Sequence, residues 1–236
     1  MTRQAGSAGI LAGVALLAEF GLFMASGFTP QVAGDAAAAS RFMAGDGGGL
    51  IRLAVLFGAV GVALQMSFFA GLGAVLQPAT PTRAVVTDRF GTIGAAFHGL
   101  VALGFWLTIP MIAQLAPSSP ADAASAWRTF SVASAAADGL ASHLVGLALL
   151  AAGWAMLSTG IARAAGWLAA IAGAATLVRV YAVGTPLAAM AGIAFVPSLV
   201  LATAFFIWAG VLLRRMDPRR PALGQAPTDA VETAGG

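Results

Sequence analysis

Cysteine is absent from the 236 residues, and with it go disulfides, thiolate metal sites, iron–sulfur clusters and a cysteine nucleophile. Lysine is absent too: all 12 basic residues are arginine. Without a lysine amine there can be no retinal Schiff base, which closes the rhodopsin class of small helical membrane proteins. Charge is scarce, at 9% of residues against about 25% in a soluble domain. The formal charge of +3 is no nucleic-acid signal, because the arginines flank apolar runs where membrane orientation accounts for them. Nucleic acid is therefore not an expected partner. The chain also lacks a Walker loop, a His-Glu-x-x-His motif and a Gly-x-Ser-x-Gly elbow.

What is abundant is apolar. Hydrophobic residues make up 59% of the chain against roughly 45–50% in soluble domains, and the mean hydropathy is +0.90. Backbone amides in lipid must satisfy one another, so such runs cross as helices. The expected fold is all-α, a polytopic transmembrane bundle over residues 1–215. Six spans are predicted, at about 7–28, 50–76, 90–115, 134–157, 164–183 and 187–213, with a disordered cytoplasmic tail over 216–236. A short interfacial helix is expected at 36–44, and residues 122–130 read as a helical lead-in to the fourth span. Pro110 and Pro197 should disturb their helices. Glycines at helical spacing, such as Gly9 and Gly13 or Gly91 and Gly99, predict close helix packing.

Counting arginines orients the chain. With both termini inside, Arg3, Arg83, Arg89, Arg163, Arg214, Arg215, Arg219 and Arg220 are cytoplasmic, while Arg41, Arg52 and Arg128 lie opposite. The positive-inside rule thus favours N-in, C-in. The excess of Arg, Ala and Gly suits a GC-rich bacterial genome, and so a bacterial inner-membrane location.

An ionisable side chain deep in hydrocarbon costs about 3 kcal/mol on insertion scales, so each marks a candidate site. Span centres place Glu19, Asp138, His143 and Arg179 near or outside the midplane, where they form a candidate polar cluster. Arg179 cannot shed its charge and requires a carboxylate, either Glu19 or Asp138. Such a cluster could be a structural ion pair, or a site reached by a proton or anion from outside. Gln65 and His98 are further polar positions, with His98 placed about 10 Å below His143 on the helical rise. That offset argues against one haem iron between the two histidines; no cofactor and no metal are expected. Asp138, Ser142 and His143 share one helix, and adjacent residues there point to different faces, so they make no catalytic triad.

The N-terminal Ala5-Gly6-Ser7-Ala8-Gly9-Ile10-Leu11, the passage Leu147-Ala148-Leu149-Leu150 and the later Ala162-Arg163-Ala164-Ala165-Gly166-Trp167-Leu168, within six spans, resemble the DUF4386 family of six-helix bacterial membrane proteins. The resemblance implies architecture and location and brings no functional residues. The first expectation for function is accordingly a non-enzymatic helper, regulatory or structural subunit in the lipid bilayer, partnered by a larger membrane complex or by further copies of itself. The alternatives are a small secondary transporter or proton-coupled permease built on the Glu/His/Arg cluster, and a haem- or quinone-binding redox subunit.

Overall fold

The computed structural model describes residues 2–183, 185–186 and 188–216. Its regular structure is helical throughout, with no strand among the described residues: α1 (Thr2–Ser26), α2 (Pro30–Gly34), α3 (Ala36–Ala44), α4 (Asp46–Leu76), α5 (Pro81–Leu115), α6 (Pro120–Thr159), α7 (Arg163–Ala182) and α8 (Ala188–Arg215). Local chemistry sets several ends. Pro81 and Pro120 stand in the first turns of α5 and α6, where a missing N–H costs no helical bond. Gly27 and Gly160 close α1 and α6 at φ +75 and +72, a left-handed conformation that glycine adopts without strain. Asp35 caps α3 by accepting from the Ala37 and Ala38 amides at 2.9 and 3.1 Å.

Six of the eight helices, all but α2 and α3, contain windows long and apolar enough to cross a membrane. The chain is a multi-pass membrane protein. Its long helices pack in chain order, α1 on α4, α4 on α5, and onward to α7 on α8, and α8 then closes back on α1. The result is a ring in which each helix has two main neighbours. Lipid offers no hydrophobic drive between helices, so close contact must hold it. At the seam, a β-carbon on Gly210 would lie 2.6 Å from the Gly6 carbonyl oxygen; between α6 and α7, one on Gly153 would lie 2.7 Å from the Gly166 carbonyl oxygen. Both helix pairs therefore approach backbone to backbone.

The interior is filled at two levels. Toward the end carrying the start of α1 and the end of α8, Phe68 and Phe69 meet Phe205 and Phe206 edge-on, with centroids 5.2 Å apart for Phe68 and Phe206. All six long helices contribute buried residues to this cluster. The second cluster, at the other end, takes its buried residues from α3, α4, α5 and α6 only, around Met43, Ile109, Ile112 and Trp127. Trp127 Nε1 donates to the Ala33 carbonyl at 3.3 Å, tying the α2–α3 segment over the ends of α5 and α6.

Several elements run differently from the sequence expectation. The third and fourth spans were expected at 90–115 and 134–157, but α5 begins at Pro81 and α6 at Pro120. At 35 and 40 residues they extend roughly 50–60 Å, well beyond a hydrocarbon core of about 30 Å. The lead-in at 122–130 is the first part of α6 itself. It stays helical because Ala123 and Trp127 pack against α3 and α5 rather than lipid. Helix α3 occupies the 36–44 segment foreseen for it, and α5 and α8 continue through Pro110 and Pro197. Of the tail expected to be disordered, residues 217–236 lie outside the described residues.

Candidate functional site

Antiparallel neighbours joined by a tight turn bring level those residues that are equally far from it. His98 and Asp138 each stand 20 residues from Ser118, in the α5–α6 connection. Ser142 precedes Gly160 by 18 residues and Arg179 follows Ile161 by 18, across the α6–α7 connection. These four side chains meet. His98 Nε2 lies 3.3 Å from Asp138 Oδ1 and 3.3 Å from Ser142 Oγ. Arg179 Nη2 sits 3.6 Å from Asp138 Oδ2 and donates to Ser142 Oγ. The guanidinium also stacks over Phe195 of α8, 5.5 Å from its ring centroid.

The periodicity of burial shows which way these residues face. On α6, the inward stripe Met156, Ala152, Leu149, Val145 and Ser142 is buried, and its next member is Asp138. On α5 the stripe through Gly91 and Ala95 reaches His98; on α7, Ala169, Ala172 and Thr176 lead to Arg179; on α1, Ala8, Ala12 and Ala15 lead to Glu19. Each ionisable residue thus continues a buried face. Yet the side chains of Asp138, His98 and Arg179 keep 46%, 25% and 22% of their surface accessible. Groups on these faces thus remain partly accessible at this level, beyond the phenylalanine cluster. The site is a partly accessible polar vestibule formed by α5, α6 and α7.

Glu19 stands on the same level from the far side. Its carboxylate lies over Gly58 of α4, where a β-carbon would press into it. Glu19 itself has no hydrogen bond or ion pair among the described residues. Gln65 lies seven residues further along α4, about 10 Å toward the phenylalanine cluster, and is buried.

The structure regroups the residues proposed from sequence. Arg179 takes Asp138 as its carboxylate, with Glu19 left apart. His98, expected about 10 Å below His143, is level with Asp138 and Ser142, because α5 begins at Pro81 and α6 at Pro120, both ahead of the starts that hydropathy marked. His143 leaves the cluster: its Nδ1 meets the Tyr181 hydroxyl at 3.0 Å on the bundle's outer flank, where Tyr181 is 63% exposed. Direction rather than depth separates the two histidines. Ser142, Gly58 and Phe195 were not foreseen as site residues. Reflecting His98 through the Pro117–Pro120 turn would have found the α6 partners; nothing in the sequence pointed to Phe195.

The chemistry open to this arrangement is proton exchange and polar binding. His98 Nε2 faces one neighbour that only accepts, Asp138, and one that can donate, Ser142. Protonated, the nitrogen donates to the carboxylate; deprotonated, it accepts from the hydroxyl, which still receives the Arg179 N–H. A serine-protease relay is excluded by geometry, since that mechanism holds the carboxylate on Nδ1 and the hydroxyl on Nε2, whereas here both approach Nε2. Among the described residues no three His, Asp or Glu side chains are placed to hold a metal ion.

No family model, curated protein or solved structure matches the chain, so the resemblance drawn above rests on the residues quoted for it.

Proposed function

We propose that the protein is a small proton-coupled permease, with Arg179, Asp138, His98 and Glu19 lining the site that takes up a small polar solute or a proton. One observation carries this reading: charged side chains on the inward faces of three adjacent helices meet in an ion-paired group that is not sealed. A pair that served only to fasten helices would need no accessible surface, whereas the side chains of Asp138 and Arg179 keep 46% and 22% of theirs open. Glu19, without an ion pair among the described residues, supplies a carboxylate that can take a proton or a cationic group as the cluster rearranges. The phenylalanine cluster at one end and the α2–α3 segment at the other supply the barriers that such a site needs. Location in a bacterial inner membrane, with both termini cytoplasmic, belongs to the same proposal and is supported by the eight-to-three arginine distribution.

The absence of native thiols makes the test clean. Phe195→Cys beside Arg179 should react in vesicles with a membrane-impermeant anionic thiosulfonate, while Leu140→Cys, 45% exposed on the lipid-facing stripe of α6, should stay unmodified. Equal protection of both thiols would mean a dry interior, and the permease reading would fall.

A further inference from the structure

At the opposite end of α6, outside the ring, a second constellation has no role in the vestibule. Arg83, near the start of α5, donates through Nη1 to Ser158 Oγ at 2.8 Å and lies over the Trp154 ring, 5.1 Å from its centroid. Ser158 passes its own proton to the Ala155 carbonyl at 3.1 Å, so its lone pairs face the guanidinium. Below it runs a groove between α6 and α7, lined by Leu150, Trp154, Leu157, Ser158, Trp167 and Ala170. Its volume of ≈ 440 Å³ falls within the roughly 300–1,000 Å³ of ligand clefts.

We infer that this groove is a binding site for an anionic phospholipid, its phosphate on Arg83 and one acyl chain along the groove. Trp154 and Trp167, 65% and 59% exposed, occupy the position of membrane-interface tryptophans, next to the α6–α7 connection, where headgroups lie. Arg83 has no carboxylate partner among the described residues, and four of its five N–H donors are unused by them. Serine and tryptophan hold the guanidinium in place without neutralising it. An anionic headgroup satisfies that charge. A zwitterionic one would bring an ammonium to a locus with no anion to receive it. The apolar lining is continuous with the lipid-facing surface, so a chain can enter sideways from the bilayer.

Native mass spectrometry of the full chain, released from micelles doped with equal amounts of phosphatidylglycerol and phosphatidylcholine, tests this directly. The wild type should retain one phosphatidylglycerol in preference to phosphatidylcholine. Arg83→Gln should lower that retention about fivefold, as expected for loss of one basic contact, and Arg83→Lys should restore part of it. Arg89→Gln, removing an exposed cation further along α5, should leave it unchanged. Equal retention of the two lipids by the wild type overturns the proposal, whether or not the variants fold. So does an equal effect of Arg83→Gln and Arg89→Gln, which would reduce the site to diffuse surface charge.

Discussion

Removing the Asp138 charge should reveal how strongly the vestibule holds α6 and α7 together. At the 3.6 Å separation from Arg179, two unit charges attract by about 1 kcal/mol in water and about 5 kcal/mol at an effective dielectric of about 20. The side chains are 46% and 22% exposed, which places the pair between those limits, and ordering the long arginine side chain offsets part of the gain. A net coupling of about 2 kcal/mol follows. In a double-mutant cycle of Asp138→Asn and Arg179→Gln, each single change should destabilise the protein, and the double variant should lose about 2 kcal/mol less than their sum. Unfolding in mixed detergent micelles, followed by circular dichroism, measures all four corners. Additivity within about 0.5 kcal/mol would mean that the two charges do not interact, and the site as described would be wrong.

Four further outcomes are expected. In a solute screen on supported membranes with small amino acids, carboxylates and amines, any current seen with the wild type should drop at least about tenfold in His98→Gln and Arg179→Gln, a loss of ~1.4 kcal/mol of transition-state stabilisation; unchanged currents would take both residues out of the transport path. Gly210→Val places a side chain against the Gly6 carbonyl and should cost about 1–3 kcal/mol, read as a lower midpoint in the same micelle assay. Trp127→Phe removes the bond to the Ala33 carbonyl and should destabilise by about 0.5–1.5 kcal/mol, with faster proteolysis in the α2–α3 segment. Ser118→Cys should be labelled on intact cells by an impermeant maleimide and Thr2→Cys only after permeabilisation; the reverse pattern would invert the proposed orientation.

Hydropathy alone made the six apolar helices legible, since lipid imposes a requirement that depends on length and composition and little else. The 36–44 helix was legible too, because Asp35 precedes an alanine run it can cap. What hydropathy could not mark was the true length of α5 and α6. The first part of α6 carries Asp122 and Arg128, which read as a lead-in before the span rather than as the span itself, although a helix shielded by α3 needs no lipid to persist. That error displaced His98 in depth and hid its meeting with Asp138. Arg179 was found because a guanidinium cannot lose its charge, which demands a carboxylate nearby. The solitary state of Glu19 was not legible, as it follows from which neighbour the arginine selects and from the bare backbone at Gly58.

The contact between Gly6 and Gly210 means that the order of the helices around the bundle has no beginning. A chain joined from the end of α8 to the start of α1 and cut instead between Leu76 and Pro81 would trace the same necklace of neighbours, so a circular permutant should assemble with its vestibule intact. Conversely, a nascent chain halted before α8 would form only an arc, with Glu19 and Arg179 facing lipid through the gap. Helix α8 is thus the clasp that turns the five spans before it into an enclosure, and quality control of this protein would have to recognise the open arc.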